Sequence, residues 1–185
     1  STGDLVESFC HILRQAGVPV ERLYLGTVVP HPQVSGIAIL YDAGKDERRE
    51  IEINHQLFEQ LQSGHHSPMR HLLQSASELR ALLKDGDDLR MSDLTELGAE
   101  GYTDFIGFPL NFMGKTAGGI TFTTKSASGF SERQCEAMRK CIPALSAAAY
   151  LCIQRLVQSA LLCAYLGQDA GRRVHRGQVH RGQGT

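Results

Sequence analysis

The sequence predicts an α+β fold, with an antiparallel sheet of about five or six strands, helices on one face and a long C-terminal dimerisation helix. Apolar residues follow a helical period near both ends of the chain. Between the two helical segments lie two or three strand-like runs, a variable middle and two further strand-like runs. This order of elements favours an antiparallel sheet flanked by the N-terminal and C-terminal helices.

The segment 4–16 is predicted to form the N-terminal amphipathic helix. Asp4 followed by Glu7 resembles a capping box, and Gly17 with Pro19 ends the helical pattern. The apolar residues of one helical face are Leu5, Phe9, Ile12, Leu13 and Ala16. These residues would pack this helix on the sheet.

Three strands are expected next, in RLYLGTVV, IAILYD and REIEINH. The turn-like PHPQVSG and the charged AGKDERRE separate them, and Ile51 and Ile53 alternate with polar residues as in a half-buried strand. In the variable middle, the patterns indicate a short helix near 56–62, an irregular SGHHSPMRHLL, and a strand or helix across SELRALL. A turn at KDGDD and a helix in MSDLTELGAEG, ending at Gly101, complete this region.

Two clear strands follow, in TDFIGFPLNF and GGITFTT, and the glycines of MGKTAG predict a hairpin between them. The tripeptide GKT at 114–116 also occurs at the end of phosphate-binding loops. That motif requires glycine five residues before Gly114, where Pro109 stands, and a helix directly after it, where a strand is expected. The hairpin is therefore the favoured interpretation.

A long helix is predicted over 131–166, opened by a capping box of Ser131 and Gln134 and kinked near Pro143. Residues alternately four and three apart form a heptad pattern: Met138, Ile142, Leu145, Ala149, Cys152, Leu156, Ser159, Cys163 and Leu166. This pattern predicts a dimer seam between two parallel copies of the helix, weakened by its Ala, Ser and Cys members. Packing of small side chains is also favoured over redox sensing for Cys141, Cys152 and Cys163, which lie eleven residues apart.

Composition excludes several functions. The chain has 185 residues, 42% of them hydrophobic and 21% charged, with a formal net charge of −1, so neither disorder nor nucleic-acid binding is indicated. Five cysteines without a CxxC pair are typical of reduced thiols in a cytoplasmic protein. The apolar stretch 144–164 contains five polar residues, including Arg155, which argues against a membrane span.

The chain resembles a known family in several ordered blocks. The stretch from DFIGFPLNF through the hairpin to SERQCEAMRKCIPALSAAA is similar to the closing half of a GAF domain. More specifically, AGVPVERLYLGTVVPHPQVSGIAILY, SPMRHLL, ELGAEGYTDFIGFPL and YLGQDAGRRVHRGQVHRGQG resemble the N-terminal region of bacterial class III adenylate/guanylate cyclases. In that group a GAF-like domain ends in a helix running into Y-L-G-x-x-A-G-x-x-V-x-x-G-x-x-x-R-G, after which the catalytic domain begins.

The resemblance implies a regulatory domain that relays its state to a cyclase catalytic domain outside this chain, which makes cyclic AMP from ATP. It implies a GAF-like sensor core over 1–130, the long helix over 131–166 and a linker over 167–185. The glycines and arginines of the linker, among them Gly167, Gly171, Arg172 and Arg173, suit a segment that breaks the helix and stays solvated. A frayed terminus without a role remains the alternative. The metal-binding aspartates of the catalytic domain have no counterpart here, so Mg or Mn is expected only downstream and no enzymatic activity is expected of this chain.

A second hypothesis is a stand-alone GAF-like module that binds a small molecule, either a metabolite or haem. Its candidate pocket residues are His55, His71, Phe108 and Phe122. His71 also clusters with His65 and His66, and exposed loop histidines, with His71 on a short amphipathic helix, are favoured there over a metal or haem site. No nucleophile lies on a recognisable catalytic turn, and no metal ligands are assigned.

Overall fold

Six antiparallel strands form one sheet in the computed structural model, which describes residues 1–29, 34–63, 67–83 and 91–178. The strands are Arg22–Val28 (β1), Gly36–Asp42 (β2), Glu47–Ile53 (β3), Leu79–Leu82 (β4), Asp104–Phe112 (β5) and Lys115–Thr124 (β6). Their spatial order is β3-β2-β1-β6-β5-β4. The central pair, β1 and β6, joins the two halves of the chain, with Leu25 opposite Ile120. The predicted antiparallel sheet is confirmed.

Helices cover both faces of this sheet. They are Thr2–Gln15 (α1), His55–Ser63 (α2), Pro68–Ser75 (α3), Ser92–Ala99 (α4), Glu132–Leu166 (α5) and Gln168–His175 (α6). As predicted, α1 and α5 share one face, where Val6, Cys10 and Leu13 of α1 pack in the main core with α5. Ile12 and Ala16, which were predicted to pack on the sheet, are exposed. The expectation of helices on one face holds for these terminal helices alone, because α3 and α4 pack on the opposite face around Leu72 and Phe105.

The capping box of α1 lies three residues earlier than predicted. Ser1 caps the helix, since its Oγ accepts from the backbone N–H of Asp4 at 3.2 Å and its ammonium group donates to the Asp4 carboxylate at 2.8 Å. Asp4 therefore holds the third helical position rather than the cap. The predicted end is confirmed, because Gly17 follows the helix with a positive φ of 81°.

The β5–β6 connection is the predicted hairpin. Phe112 pairs with Lys115, so Met113 and Gly114 form a two-residue turn, with φ values of 49° and 75°. Two positive φ values are typical of a turn that matches the twist of paired strands. Lys115 and Thr116 open β6, and the phosphate-binding alternative is thereby excluded.

The first half of α5 belongs to the core of its own chain. Met138, Ile142, Leu145 and Ala149 are at most 8% exposed and pack in the main core with the sheet. The prediction of a dimer seam at these four positions is therefore wrong. A core-facing stripe of a long amphipathic helix has the same three- and four-residue spacing as a seam, so the pattern did not distinguish them.

The second half of α5 is more open. Leu156 and Leu166 are 46% and 50% exposed, and Cys152 and Cys163 are half-buried. The predicted capping box of Ser131 and Gln134 is present, and the helix continues through Pro143 as one element. Among the described helices, α5 alone is long and apolar enough to cross a membrane by length and composition, a property that core helices share.

The segment after α5 folds back as a helix. Gly167 ends α5 with a φ of 83°, as expected of a helix-breaking glycine. The helical form of α6 was not predicted, and α6 packs on α5 so closely that a Cβ at Gly171 would lie 2.5 Å from the backbone N of Cys163. Arg172 and Arg173 lie on the exposed side of α6. The second VHRGQ repeat, together with His65, His66 and the KDGDD turn, lies outside the described residues.

Candidate ligand cavity

A cavity of about 490 Å³ lies between the sheet and the helices of the middle region. Tyr24 on β1, Phe105 on β5, and Thr121 with Thr123 on β6 line it from the sheet side. From the helices, its lining comprises Phe58 of α2, Pro68, Met69, Arg70, Leu73 and Gln74 of α3, and Ser92, Asp93, Glu96 and Leu97 of α4. Its size and its mixture of apolar and polar groups are typical of small-molecule sites.

Strand alternation decides which side chains reach the cavity. On β6, Thr121 and Thr123 line it, whereas Phe122 between them points into the opposite core, where its ring lies 6.1 Å from that of Phe108. On β5, Phe105 faces the cavity side and Phe108 the core of α1 and α5. One face of these strands therefore lines the cavity, and the other packs against α1 and α5.

Three glycines in adjacent strands let α3 approach the sheet. A Cβ at Gly119 would lie 2.8 Å from Cδ1 of Leu72 and 2.9 Å from Sδ of Met69. At Gly107 and Gly26 the corresponding contacts, to Leu72 Cδ1 and Met69 Cε, would each be 3.1 Å. Because these three positions lack side chains, the sheet has a shallow groove in which α3 packs.

The sequence Ser67-Pro68 fixes the start of α3 at the wall of the cavity. Ser67 Oγ accepts from the backbone N–H of Arg70 at 3.2 Å, and Pro68 occupies the first helical position, where no backbone donor is needed. Ala76 ends the helix with a φ of 50°. Both Ser67 and Pro68 line the cavity.

Carboxylates of α4 and its C-terminal cap dominate the charge at one side of the cavity. Asp93, Glu96 and Glu100 all line it, spaced so that they follow one side of the helix. Glu100 pairs with Arg22 across 3.7 Å. Burial raises the pKa of the Tyr24 phenol, and the negative charge of Asp93 adds to that shift. At neutral pH the phenol therefore keeps its proton.

The four predicted pocket residues lie outside this cavity lining. His55 begins α2 and is exposed, with its Nδ1 2.5 Å from Ser35 Oγ, and His71 is a half-buried residue of α3. Phe108 and Phe122 are buried in the core of α1 and α5. The prediction placed the two phenylalanines in the pocket without evidence for which face of the sheet the cavity lies on. Successive side chains of a strand point to opposite faces, so the choice of face decides which residues line the cavity.

The residues that prediction missed left a readable signal. Gly26, Gly107 and Gly119 interrupt strand-like segments, and a glycine within a strand often marks the close approach of another group. Side chains an even number of residues from these glycines point to the face on which α3 packs. Phe105 and Thr121 lie two residues from Gly107 and Gly119 and would thus have been placed on that face. The capping sequence Ser67-Pro68 would have added α3.

A second cluster of polar side chains lies on the other face. The possible ligand atoms of Glu7, His11 and Asp46 lie within 4.8 Å of one another. The Tyr41 hydroxyl donates to Asp46 at 2.6 Å and lies 3.2 Å from Nε2 of His11, while Arg48 donates to Glu7 at 3.1 Å. These bonds join α1 to the β2–β3 region and give the cluster a structural role.

The sequence matches no family model and no curated protein. Solved structures with a similar fold include the GAF domain of a two-component sensor histidine kinase from Bacillus halodurans, at TM-score 0.56 and 11% identity over 81% of this chain and 94% of that one. The GAF domain of an Acinetobacter phosphoenolpyruvate-protein phosphotransferase has TM-score 0.52 and 14% identity, covering 81% and 82%. A type II free methionine-R-sulfoxide reductase from Thermoplasma acidophilum has TM-score 0.53 and 9% identity, covering 80% and 92%. The fold of this chain is GAF-like.

Proposed function

We propose that this chain is a regulatory domain that binds a small molecule in the cavity and relays its occupancy through α5. The domain that receives the signal is proposed to be a class III nucleotide cyclase domain that makes cyclic AMP from ATP. The observation that carries the proposal is that Phe105 lines the cavity while Phe108 of the same strand packs in the core that includes Met138 of α5. A ligand and the output helix would thus act on one strand from opposite faces.

The relay requires that a ligand in the cavity shifts β5 or β6, because a shift of either strand also moves the side chains that it packs against α5. A ligand held between α3 and the sheet would contact Phe105 and Thr121, which belong to the adjacent strands β5 and β6. Because the core on the other side is close-packed, small displacements of Phe108 or Phe122 would be transmitted to α5 rather than absorbed. Binding would favour the arrangement that fits the ligand better, and α5 would carry that preference onward.

The cyclase assignment rests on the sequence blocks that resemble the regulatory regions of class III cyclases. The most specific block begins at Tyr165 and Leu166, the last residues of α5, and continues through α6. Its glycines have positions that suit a signalling junction, since Gly167 breaks α5 and Gly171 lets α6 pack on it. Mg or Mn would belong to the catalytic domain.

Class III catalytic sites are generally formed between two catalytic domains, so the proposal includes a homodimer. The open half of α5 is the proposed contact, because Leu156 and Leu166 keep about half of their surface exposed and Leu151 is 62% exposed. Half-buried Cys152 belongs to the same predicted stripe, whereas Cys163, also predicted for it, lies against Gly171 of α6. Ile153 and Val157 of this half are buried in the main core, so the proposed contact uses only the exposed side of the helix.

The test is nucleotide cyclase activity of the parent chain extended beyond Thr185, with Mg or Mn and ATP or GTP. Activity should change when residues 1–160 are deleted. It should also change in Thr121→Trp, which fills the cavity from the sheet side, and not in Thr116→Trp, near the hairpin on the same strand. Absence of cyclase activity would leave a GAF-like binding module, which the cavity also supports. Equal activity in all variants would overturn the regulatory role.

A further inference from the structure

We infer that the cavity takes a small organic cation, in which an amine or guanidinium group is carried on an aromatic or otherwise apolar body. This inference rests on the proposed sensing role and names the chemical class of its ligand. It follows from two properties of the lining: carboxylates on α4 and at its C-terminal cap, and aromatic and thioether side chains on α2, α3 and the sheet.

The carboxylates are unevenly compensated. Glu100 has Arg22 as its partner, at 3.7 Å. Asp93 and Glu96 take part in no ion pair among the described residues, and the Asp93 carboxylate accepts from the Ser92 hydroxyl at 3.3 Å. Since the two residues are three apart on one helix, their side chains lie next to each other. A cation placed between them would face two carboxylates, whereas an anion there would be repelled by both.

The total charge of the described lining residues is negative, as is the charge on α4. Its described residues include three carboxylates, those of Asp93, Glu96 and Glu100, and two guanidinium groups, those of Arg22 and Arg70. A ligand with one positive charge would bring this set to neutrality. The negative charge of Asp93 also acts on Tyr24 of β1, where it adds to the raised pKa of the phenol.

The rest of the lining fits an apolar or aromatic body. Phe58, Met69 and Leu73 are half-buried and supply apolar surface, while Phe105, only 2% exposed, packs mainly with Leu94 and Leu97 of α4. The rings of Tyr24 and Phe58 can receive a cation on their faces, and the thioether of Met69 adapts to irregular shapes. Hydroxyl groups of Thr121 and Thr123 on the sheet side leave room for a polar substituent.

Three indole compounds with the same ring and different charge test the ligand class: tryptamine, tryptophol and indole-3-acetate. In calorimetric titrations of the purified chain, tryptamine should bind roughly tenfold or more tightly than the other two. The preference should shrink with added NaCl, since Asp93 and Glu96 are exposed and their charges are screened.

Substitutions of the α4 carboxylates test whether they cause the preference for tryptamine. Combined Asp93→Asn and Glu96→Gln should remove the preference for tryptamine over tryptophol, while Glu59→Gln, an exposed carboxylate of α2 outside the cavity lining, should retain it. The inference is overturned if tryptophol or indole-3-acetate binds as tightly as tryptamine, if the double variant keeps the preference, or if none of the three binds. Because the Thr121→Trp assay of cyclase activity uses no added ligand, the proposed regulatory role can stand when the ligand class fails.

Discussion

The guanidinium of Arg80 on β4 donates to the buried carboxylate of Asp104 on β5, with Nη2 and Oδ2 3.0 Å apart. The same Oδ2 accepts from the backbone N–H of Phe130 at 2.9 Å, and Arg80 Nη2 also donates to the Phe130 carbonyl at 2.6 Å. Asp104 therefore joins the edge strand, β5 and the residue just before Ser131, the cap of α5. This cluster holds the start of the proposed output helix against the cavity-bearing half of the sheet.

Asp104→Asn should destabilise the fold. The substitution removes the charge that strengthens the bonds from Arg80 and Phe130, at a cost of about 2 kcal/mol in the free energy of unfolding. Urea denaturation measures the effect, with Asp169→Asn on the exposed side of α6 as the matched control. A loss no larger than that of the control would show that the cluster contributes little to stability.

Leu145 and Leu156 should respond differently to the same charge. Leu145 is 4% exposed, so Leu145→Glu buries an unpaired carboxylate and should cost more than about 3 kcal/mol, enough to prevent stable folding. Leu156 is 46% exposed, so Leu156→Glu should keep the melting temperature within a few degrees and convert dimers to monomers. Light scattering and thermal melts distinguish the two effects. A folded Leu156→Glu dimer would remove this stripe from the proposed interface.

Local sequence signals predicted the elements well and their partners poorly. The Met113-Gly114 turn and the Ser131–Gln134 capping box are determined by residues within a few positions of each other, and both were predicted correctly. The side of the sheet that faces a cavity depends instead on which helix packs there. Phe108 was therefore assigned to the wrong space. For the same reason, the spacing of Leu145 could not separate a core contact from a contact with a second chain.

Neighbouring glycines of β6 should differ in their tolerance of alanine. A Cβ at Gly119 would meet the ends of flexible side chains, Leu72 and Met69, whereas a Cβ at Gly118 would lie 2.2 Å from the backbone oxygen of Gly26. Gly119→Ala should therefore cost about 1 kcal/mol and reduce the space under α3, while Gly118→Ala should cost about 3 kcal/mol. Urea denaturation of both variants gives the comparison. Equal losses, or a larger loss for Gly119→Ala, would contradict the close approach of β1 at Gly118.

Cys10 should resist alkylation in the folded protein. Its side chain is fully buried, and burial raises the pKa of the thiol from its ordinary value of 9.0 to about 11. At pH 8 iodoacetamide should therefore modify the half-buried Cys141, Cys152 and Cys163 well before Cys10, as mass spectrometry of the peptides would show. Rapid labelling of Cys10 in the native protein would contradict its burial.

The same thiol should make stability depend on alkaline pH. The folded state holds the Cys10 proton more tightly than the unfolded state, so its contribution is fully present below pH 9 and is lost as the pH rises through about 11. The two-unit difference limits this loss to at most about 3 kcal/mol. Cys10→Ala removes the titrating group, so its free energy of unfolding should fall less between pH 8 and pH 11 than that of the unsubstituted protein. Parallel pH profiles for the two proteins would show that the folded and unfolded states bind this proton equally.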